Sequence, residues 1–320
     1  MSSHVAAGGS SPSTSPQDVS PGSSLRRKRR PAEALIVGVL RLSAVLSVAI
    51  TIGIVVALLM PALSFFREVS MWEFLTGTQW RPNLAPQEFG VLPLVAGTLM
   101  TTAIALLVAV PIGLGAAMYL SEYAAPAVRR KLKPTLELLA GVPSVVYGFF
   151  ALQFVTPVVL QGLLGLEVSF TNALAAGLIL GVMIIPTVAS LSEDAMSAVP
   201  QSLREGSFAM GANRMQTTLR VVFPAAISGI GAAVVLGLSR AVGETMIVAL
   251  AAGSIPNLSL DPREGMQTMT AYIAQTAGGE NPVGSLSYDT LFAVGLLLFA
   301  ITFVINMISV ALVRRIREVY

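Results

Sequence analysis

Arg240 and Glu244 stand four residues apart in an otherwise apolar stretch, Ser239–Leu250, SRAVGETMIVAL. An arginine guanidinium is a planar fork that donates two parallel hydrogen bonds to an oxyanion such as phosphate. A glutamate four residues on projects from the same face of a helix and can hold that fork or repel an anion beside it. Neither residue suits hydrocarbon, where a charge at a helix centre costs ~2.5–3.5 kcal/mol on insertion. Three roles compete. The two residues form a self-neutralising pair that fixes packing, or Arg240 lines a path and binds the anion, or Glu244 gates by holding Arg240 and releasing it. Desolvation offsets most of the Coulomb gain of a buried pair. The second and third roles, taken together, are therefore preferred.

Little other chemistry is available. Cysteine is absent and the single histidine is His4, in a Gly/Ser-rich stretch, so no thiolate site, thiol nucleophile or histidine-based metal site is expected. The lysines are Lys28, Lys131 and Lys133, and none follows a glycine. A phosphate-cradling loop of the Gly-Lys type is therefore missing, and ATP hydrolysis would need another chain. The protein is read as a non-enzyme. Thr98, Thr101, Thr102, Ser144, Tyr147, Gln153 and Glu137 also punctuate apolar runs, but such residues commonly hydrogen-bond neighbouring helices. Pro111, Pro143, Pro157 and Pro186 should kink or break the helices that hold them.

The elements that must position Arg240 belong to a membrane bundle. Of 320 residues, 54% are hydrophobic and 12% charged, about half the charge of an ordinary soluble domain. Six apolar runs, near 34–63, 91–120, 135–163, 172–192, 225–252 and 290–313, are each long enough to span a bilayer. The fold class is all-α, a polytopic bundle of about six transmembrane helices set in membrane lipid, with no sign of nucleic-acid binding. Arg240 then lies about fifteen residues into the fifth run, ~22 Å along a helix and near mid-membrane. Residues 1–24 are Ser, Gly and Pro rich and read as disordered. With Arg26–Arg30 they form a basic tail (1–30) ahead of a transmembrane domain (31–320). The first run is too long for a signal-peptide core, and no small-residue cleavage site follows it.

Basic residues cluster at Arg26–Arg30, at Arg129–Lys133, at Arg204, Arg214 and Arg220, and at Arg314–Arg317. The positive-inside rule puts those connections and both termini in the cytoplasm. The intervening connections are richer in acid and hold Trp72 and Trp80, read as interfacial anchors ahead of partner contacts.

The connection at 193–224, EDAMSAVPQSLREGSFAMGANRMQTTLRVVFP, is too polar to span. Ser202 and Glu205 have capping-box spacing for a helix over Leu203–Met210. Gly211 can end it in a left-handed turn. Asn213 or Thr217 can start the next helix, which meets the fifth span at Pro224. A passive linker needs none of this order.

Glu205-Gly206-Ser207, then Gly211, then Val221-Val222-Phe223-Pro224 resembles the EAA loop of ABC importer permeases, although Gly206 and Ser207 replace alanines and Val221 and Phe223 replace Ile and Leu. The resemblance implies a coupling helix, Glu205–Gly211, that docks on a separate ATPase. Four further stretches, Phe89–Ala124, Leu136–Phe150, Met183–Pro200 and Ser239–Gly253, resemble the permeases of bacterial high-affinity phosphate ABC importers. Gly243-Glu244-Thr245-Met246 is similar to the PstC-type branch, where the PstA-type sister tends to have Gly-Glu-Thr-Ala-Pro. The resemblance implies the architecture of a type I importer permease and a heterodimer with a PstA-type sister permease. It implies two ATPase subunits that hold the ATP and Mg, with no cofactor on this chain. It also implies a periplasmic or extracellular phosphate-binding protein facing Gln79–Gln87 and Ser254–Asp289, a cytoplasmic (inner) membrane location, and a place for Arg240 and Glu244 in phosphate passage. A permease for sulfate or molybdate is the alternative, and an ion-coupled secondary transporter or a membrane sensor lies further off, because neither uses the 193–224 loop.

Overall fold

The computed structural model describes residues 31–316. The expected tail at 1–30, its basic cluster and Arg317 lie outside these, as do the side chains of Arg314 and Arg315. The chain forms two units, residues 1–52 and 53–320. Helix α1, Pro31–Glu68, belongs to both. In the first unit the described residues are all helical, and apart from Glu33 and Arg41 they carry no charge, as hydrocarbon favours.

The second unit contains the bundle. In chain order come the end of α1, a short α2 (Met71–Thr76), α3 (Leu92–Met118), α4 (Pro126–Ala140) and α5 (Ser144–Phe150). Then follow α6 (Ala173–Ser197), α7 (Gln201–Ala209), α8 (Arg214–Thr217), α9 (Phe223–Gly243), α10 (Met246–Ala251), α11 (Met269–Ala277) and α12 (Leu286–Ile316). Two-residue strands, β1 (Trp80–Arg81) and β2 (Glu88–Phe89), pair antiparallel in the connection before α3, an addition to the expected all-α architecture. Among the described residues, six helices are long and apolar enough to cross a membrane: Leu35–Glu68, Leu92–Tyr123, Ser144–Leu163, Ala173–Ser197, Arg214–Gly243 and Leu286–Ala311. We call the end carrying Arg129, Lys133, Arg204 and Arg214 the basic end, and the other the far end.

Two expected spans are redrawn. The third starts at Ser144, not near 135. Pro143 lacks an amide N–H and pushes Val142 out of helical geometry, so the chain breaks at Gly141–Pro143. The preceding α4 is a separate amphipathic helix without a buried residue. Glu137 therefore sits on this surface helix and in no span. The fifth span runs from Arg214 and stops at Gly243, short of the expected 252. The prolines act unequally: α3 and α6 continue through Pro111 and Pro186. Around Pro157, by contrast, the helix widens into a π-helical stretch, Ala151–Leu163, a common way to absorb a missing backbone bond.

Spans two and four form the spine. Gly177 and Gly181 of α6 press against α3: a Cβ on Gly177 would lie 2.7 Å from Ile104 Cβ, and one on Gly181 2.9 Å from the Ala105 carbonyl. Only glycine permits this approach, and close backbones are how helices associate when lipid supplies no hydrophobic drive. Around the spine pack Leu160, Leu180, Met183, Ile184, Ile247 and Val248.

A second core at the far end joins Phe65, Phe74, Trp80, Phe89, Leu94, Met269 and Tyr272. Trp80 is only 2% exposed and meets Tyr272 edge to face, with ring centroids 5.0 Å apart. It is a core residue, not the interfacial anchor its sequence position suggested. Trp72 remains exposed. Burial raises the Tyr272 phenol above its ordinary range, and its hydroxyl shares a hydrogen bond with Thr290.

Candidate functional site: a broken fifth span and its loop

Helix α9 follows a π-helical turn, Thr218–Val222, without a gap, and the missing N–H of Pro224 falls at that junction. It is rich in small residues, runs to Gly243 and stops. Glu244 has extended backbone angles (φ −67°, ψ 134°), and α10 restarts at Met246. Glycine is a poor helix former, and the next side chain satisfies the new helix start. Glu244 Oε1 accepts from the Met246 and Ile247 backbone N–H groups, at 3.1 and 3.3 Å. Its carbonyl accepts from Thr270 Oγ1 at 2.6 Å.

The expected helical i, i+4 face for Arg240 and Glu244 is therefore not formed. Arg240 lies in the last turn of α9, and Glu244 lies past its end, its carboxylate turned onto α10. Among the described residues, no ion pair contains either one. Arg240 is exposed within this chain. The Tyr147 hydroxyl donates to the Leu139 carbonyl at 2.9 Å. Beside Arg240, Ser239 Oγ donates to Asn306 Oδ1 of α12 at 2.6 Å. Asn306 was legible as the lone amide in the sixth apolar run, but the sequence reading passed over it.

The other polar candidates divide. Thr98 Oγ1 donates to the Leu94 carbonyl and accepts from the Met269 N–H at 3.0 Å, so it fastens the far-end segment Met266–Thr270 onto α3. Thr101 bonds its own helix, at the Gly97 carbonyl. Thr102 and Thr98 are buried, Ser144 is half-buried and Gln153 is exposed.

At the basic end, the 193–224 connection folds as two short helices. Helix α7 starts at Gln201 after Pro200, with no side-chain cap. Ser202 is thus inside the helix and the expected Ser202/Glu205 capping box does not form, because Pro200 already fixes the entry. The capping box falls instead at Asn213 and Gln216, whose side chains each bond the other's backbone N–H at 2.9 Å. Gly211 has φ +83°, the left-handed turn expected there. Ser207 Oγ lies 2.9 Å from Thr217 Oγ1, bonding α7 to the segment leading into α9. Glu205, Gly206 and Pro224 are exposed and Ser207 is half-buried. Met210 is 88% and Met215 63% exposed, with Phe208 beside them.

Two charge clusters at this end went unread in the sequence. Arg204 is nearly buried and bonds Glu122 at the end of the second span, where a π turn spans Tyr119–Tyr123. Glu193 of α6 is fully buried and bonds Arg129 and Lys133 of α4, while Lys133 also reaches Asp194. Hydrogen bonds from Lys133 to Asp194 and then Glu193 hold its ammonium above its ordinary range. The sequence signal was present: four charged residues at 122, 193, 194 and 204 bordering apolar runs.

At the far end, Gln79, Arg81, Asn83, Ser254, Gln267 and Gln275 help line an open groove of about 880 Å³. It lies between the two connections expected to face a binding protein.

A family model, "Binding-protein-dependent transport system inner membrane component", matches residues 109–318, which include α9, the break and the whole 193–224 loop. The chain belongs to this family. Members are multi-pass inner-membrane permease components, and this chain's six apolar helices agree. It is 38% identical over 264 residues to the probable ABC transporter permease protein YqgH of Bacillus subtilis, covering 81% of this chain and 84% of that one. It is 35% identical over 262 residues to the phosphate transport system permease protein PstC of Mesorhizobium japonicum, covering 77% and 79%. It is 32% identical over 294 residues to PstC of Haemophilus influenzae, covering 83% and 91%. Among solved structures, a bacterial alginate ABC transporter in complex with an alginate-pentasaccharide-bound periplasmic protein superimposes with TM-score 0.63 at 17% identity, over 89% of this chain and 96% of that one. The inward-facing MetNI methionine ABC transporter superimposes with TM-score 0.53 at 21% identity, over 72% and 95%. These two likenesses bear on the fold, which is that of the ABC importer permeases.

Proposed function

We propose that this chain is the PstC-type transmembrane subunit of an ATP-driven phosphate importer. It pairs with a PstA-type sister permease, with two ATPase subunits on its basic, cytoplasmic side and a phosphate-binding protein at its far end. Both termini lie in the cytoplasm. The observation that carries the reading is the helix break at Glu244. It leaves the Arg240 guanidinium in the last turn of the fifth span with no carboxylate partner among the described residues, on the same span that starts just past the Gly211-turned loop. A cation held in this way has its donors available for an anion. Curated relatives named as phosphate permeases make phosphate the anion.

Arg240 lines the path and binds phosphate during passage, and Glu244 repels an anion that lingers. With its carboxylate capping α10, Glu244 leaves Arg240 free in this conformation. Glu205, Gly206, Ser207 and Gly211 present the coupling helix to the ATPase, with Pro224 at the root of α9. The chain itself hydrolyses nothing; ATP and Mg sit on the partner.

The test is phosphate uptake by the assembled importer carrying Arg240→Ala. Uptake should vanish while the ATPase still co-purifies. Unchanged uptake would refute the path-lining role. Competition of labelled phosphate uptake by sulfate or molybdate addresses the alternative, since the guanidinium fork alone does not separate tetrahedral oxyanions. Displacement by either at equal concentration overturns the phosphate assignment.

A further inference from the structure

One guanidinium joins three elements at the basic end. Arg204 lies in the middle of α7, and its side chain is 11% exposed. Its Nη2 donates to Glu122 Oε1 at 2.9 Å and its Nε to Glu122 Oε2 at 3.4 Å, a two-point grip on a carboxylate that is itself 8% exposed. Nη2 also donates to the Met196 carbonyl at 2.8 Å, and Nη1 to the Val199 carbonyl at 2.6 Å. Met196 is in the last turn of α6 and Val199 lies just past it, at the helix end that favours a cation.

The acceptor side is equally specific. Glu122 stands in the π turn Tyr119–Tyr123 that ends the second span, and Ser121 Oγ donates to its Oε1 at 3.0 Å. The neighbouring Tyr123 ring is covered by Arg214 of α8, 5.8 Å from its centroid. Both short helices of the 193–224 loop thus hold the same π turn. Behind it, α3 and α6 are locked together through Gly177 and Gly181. Arg204 therefore connects the loop to the stiffest part of the bundle, along a route separate from the covalent one into α9.

We infer that Arg204, through Glu122 and the end of α6, is the positioning residue that passes displacement of the coupling helix to spans two and four. This rests on the reading of α7 as the ATPase-docking helix. The role demands arginine: a lysine ammonium keeps the charge but cannot reach four acceptors in one plane. Breaking a buried, hydrogen-bonded charge pair from one side leaves the other charge uncompensated, so the link is lost as a unit.

The experiment uses the complete importer in proteoliposomes, with binding protein and ATP, and reads phosphate transported per ATP hydrolysed alongside ATPase retention on purification. Arg204→Gln and Glu122→Gln should keep the ATPase bound and lower that ratio about ten-fold or more. Arg204→Lys should fall between these and the unmodified chain. An unmodified ratio in both glutamine variants would overturn the inference. Loss of the ATPase from Arg204→Lys and Glu122→Gln alike would also overturn it, by making the pair a docking or folding element. Phe208→Asp separates the underlying reading: it should release the ATPase, and retention there would refute docking through α7 whatever the Arg204 variants do.

Discussion

Gly211 offers the sharpest perturbation, because its surroundings isolate one physical cause. Its φ of +83° lies in the region that side chains with a Cβ rarely adopt. A Cβ built there meets no atom within 4 Å, so crowding plays no part in the cost of a substitution. What remains is the backbone term, about 1–2 kcal/mol for an ordinary L-residue in left-handed geometry. At about 1.4 kcal/mol per factor of ten, Gly211→Ala should lower the weight of the native turn roughly five- to thirty-fold against competing conformers. Asparagine tolerates this region better than alanine, and β-branched valine tolerates it worse. The predicted order of coupled transport is therefore Gly, Asn, Ala, Val, although asparagine is larger than alanine. The assay is phosphate uptake and ATP hydrolysis by the assembled importer, with the ratio taken for each variant. Uncoupling should grow along the series. Coupled turnover in Gly211→Val equal to that of the unmodified chain would refute the argument, and an order following side-chain volume would show that the empty space around Gly211 is filled in the complex.

Three further outcomes follow from the same geometry. Glu244→Gln keeps an oxygen to cap α10, whereas Glu244→Ala removes a cap worth about 0.5–2 kcal/mol. Uptake should fall in both, because both lose the charge that repels a lingering anion, and should fall further in the alanine variant, which also loses the cap; full uptake in the glutamine variant would refute the repulsion. Trp80→Ala should lower stability by about 3–5 kcal/mol, seen as a drop in the thermal midpoint in detergent, because the ring is buried in the far-end core; a shift of under a degree would refute that placement. Hydrogen bonds from Arg263, from side chain and backbone, hold Asp261 well below its usual 3.8, at about 2. The folded value is depressed, so its contribution to loop order is complete above about pH 4 and is lost as pH falls through about 2. A carboxyl carbon titration that found an ordinary midpoint would contradict the pair.

The bundle was legible because hydrocarbon imposes a coarse and strong rule: long runs without charge must be helices. The rule does not locate helix ends. It merged α4 with α5, since Leu136, Leu138 and Leu139 are apolar enough to extend a run that Gly141–Pro143 in fact breaks. It likewise passed through Gly243, where the alternatives, a continuous helix and one recapped by Glu244, differ by a few local hydrogen bonds that spacing cannot reveal. Gly211 was readable because a left-handed turn has few suitable residues. Asn213 was readable as one of two candidate caps. Arg204, Glu122 and Glu193 stood out as charges beside apolar runs, but their pairing was not readable, because the partners are remote in sequence and only the packing of α3 on α6 brings them together. Trp80 shows the same limit, since a tryptophan near a membrane boundary has one appearance whether it faces lipid or Tyr272.

The interruption at Glu244 also sets the mechanics of span five. From Phe223 to Gly243 the chain is one stiff rod about 30 Å long at ~1.5 Å per residue, and its free end bears Arg240. The residues beyond it, Glu244–Ala251, are fixed elsewhere, with Ile247 and Val248 buried in the spine core and Glu244 bonded to Thr270. Rocking such a lever by about 10° at the loop would swing the guanidinium by about 5 Å, while the far-end residues need not move at all. An unbroken helix would drag both faces of the membrane together; this one has its joint at the charge.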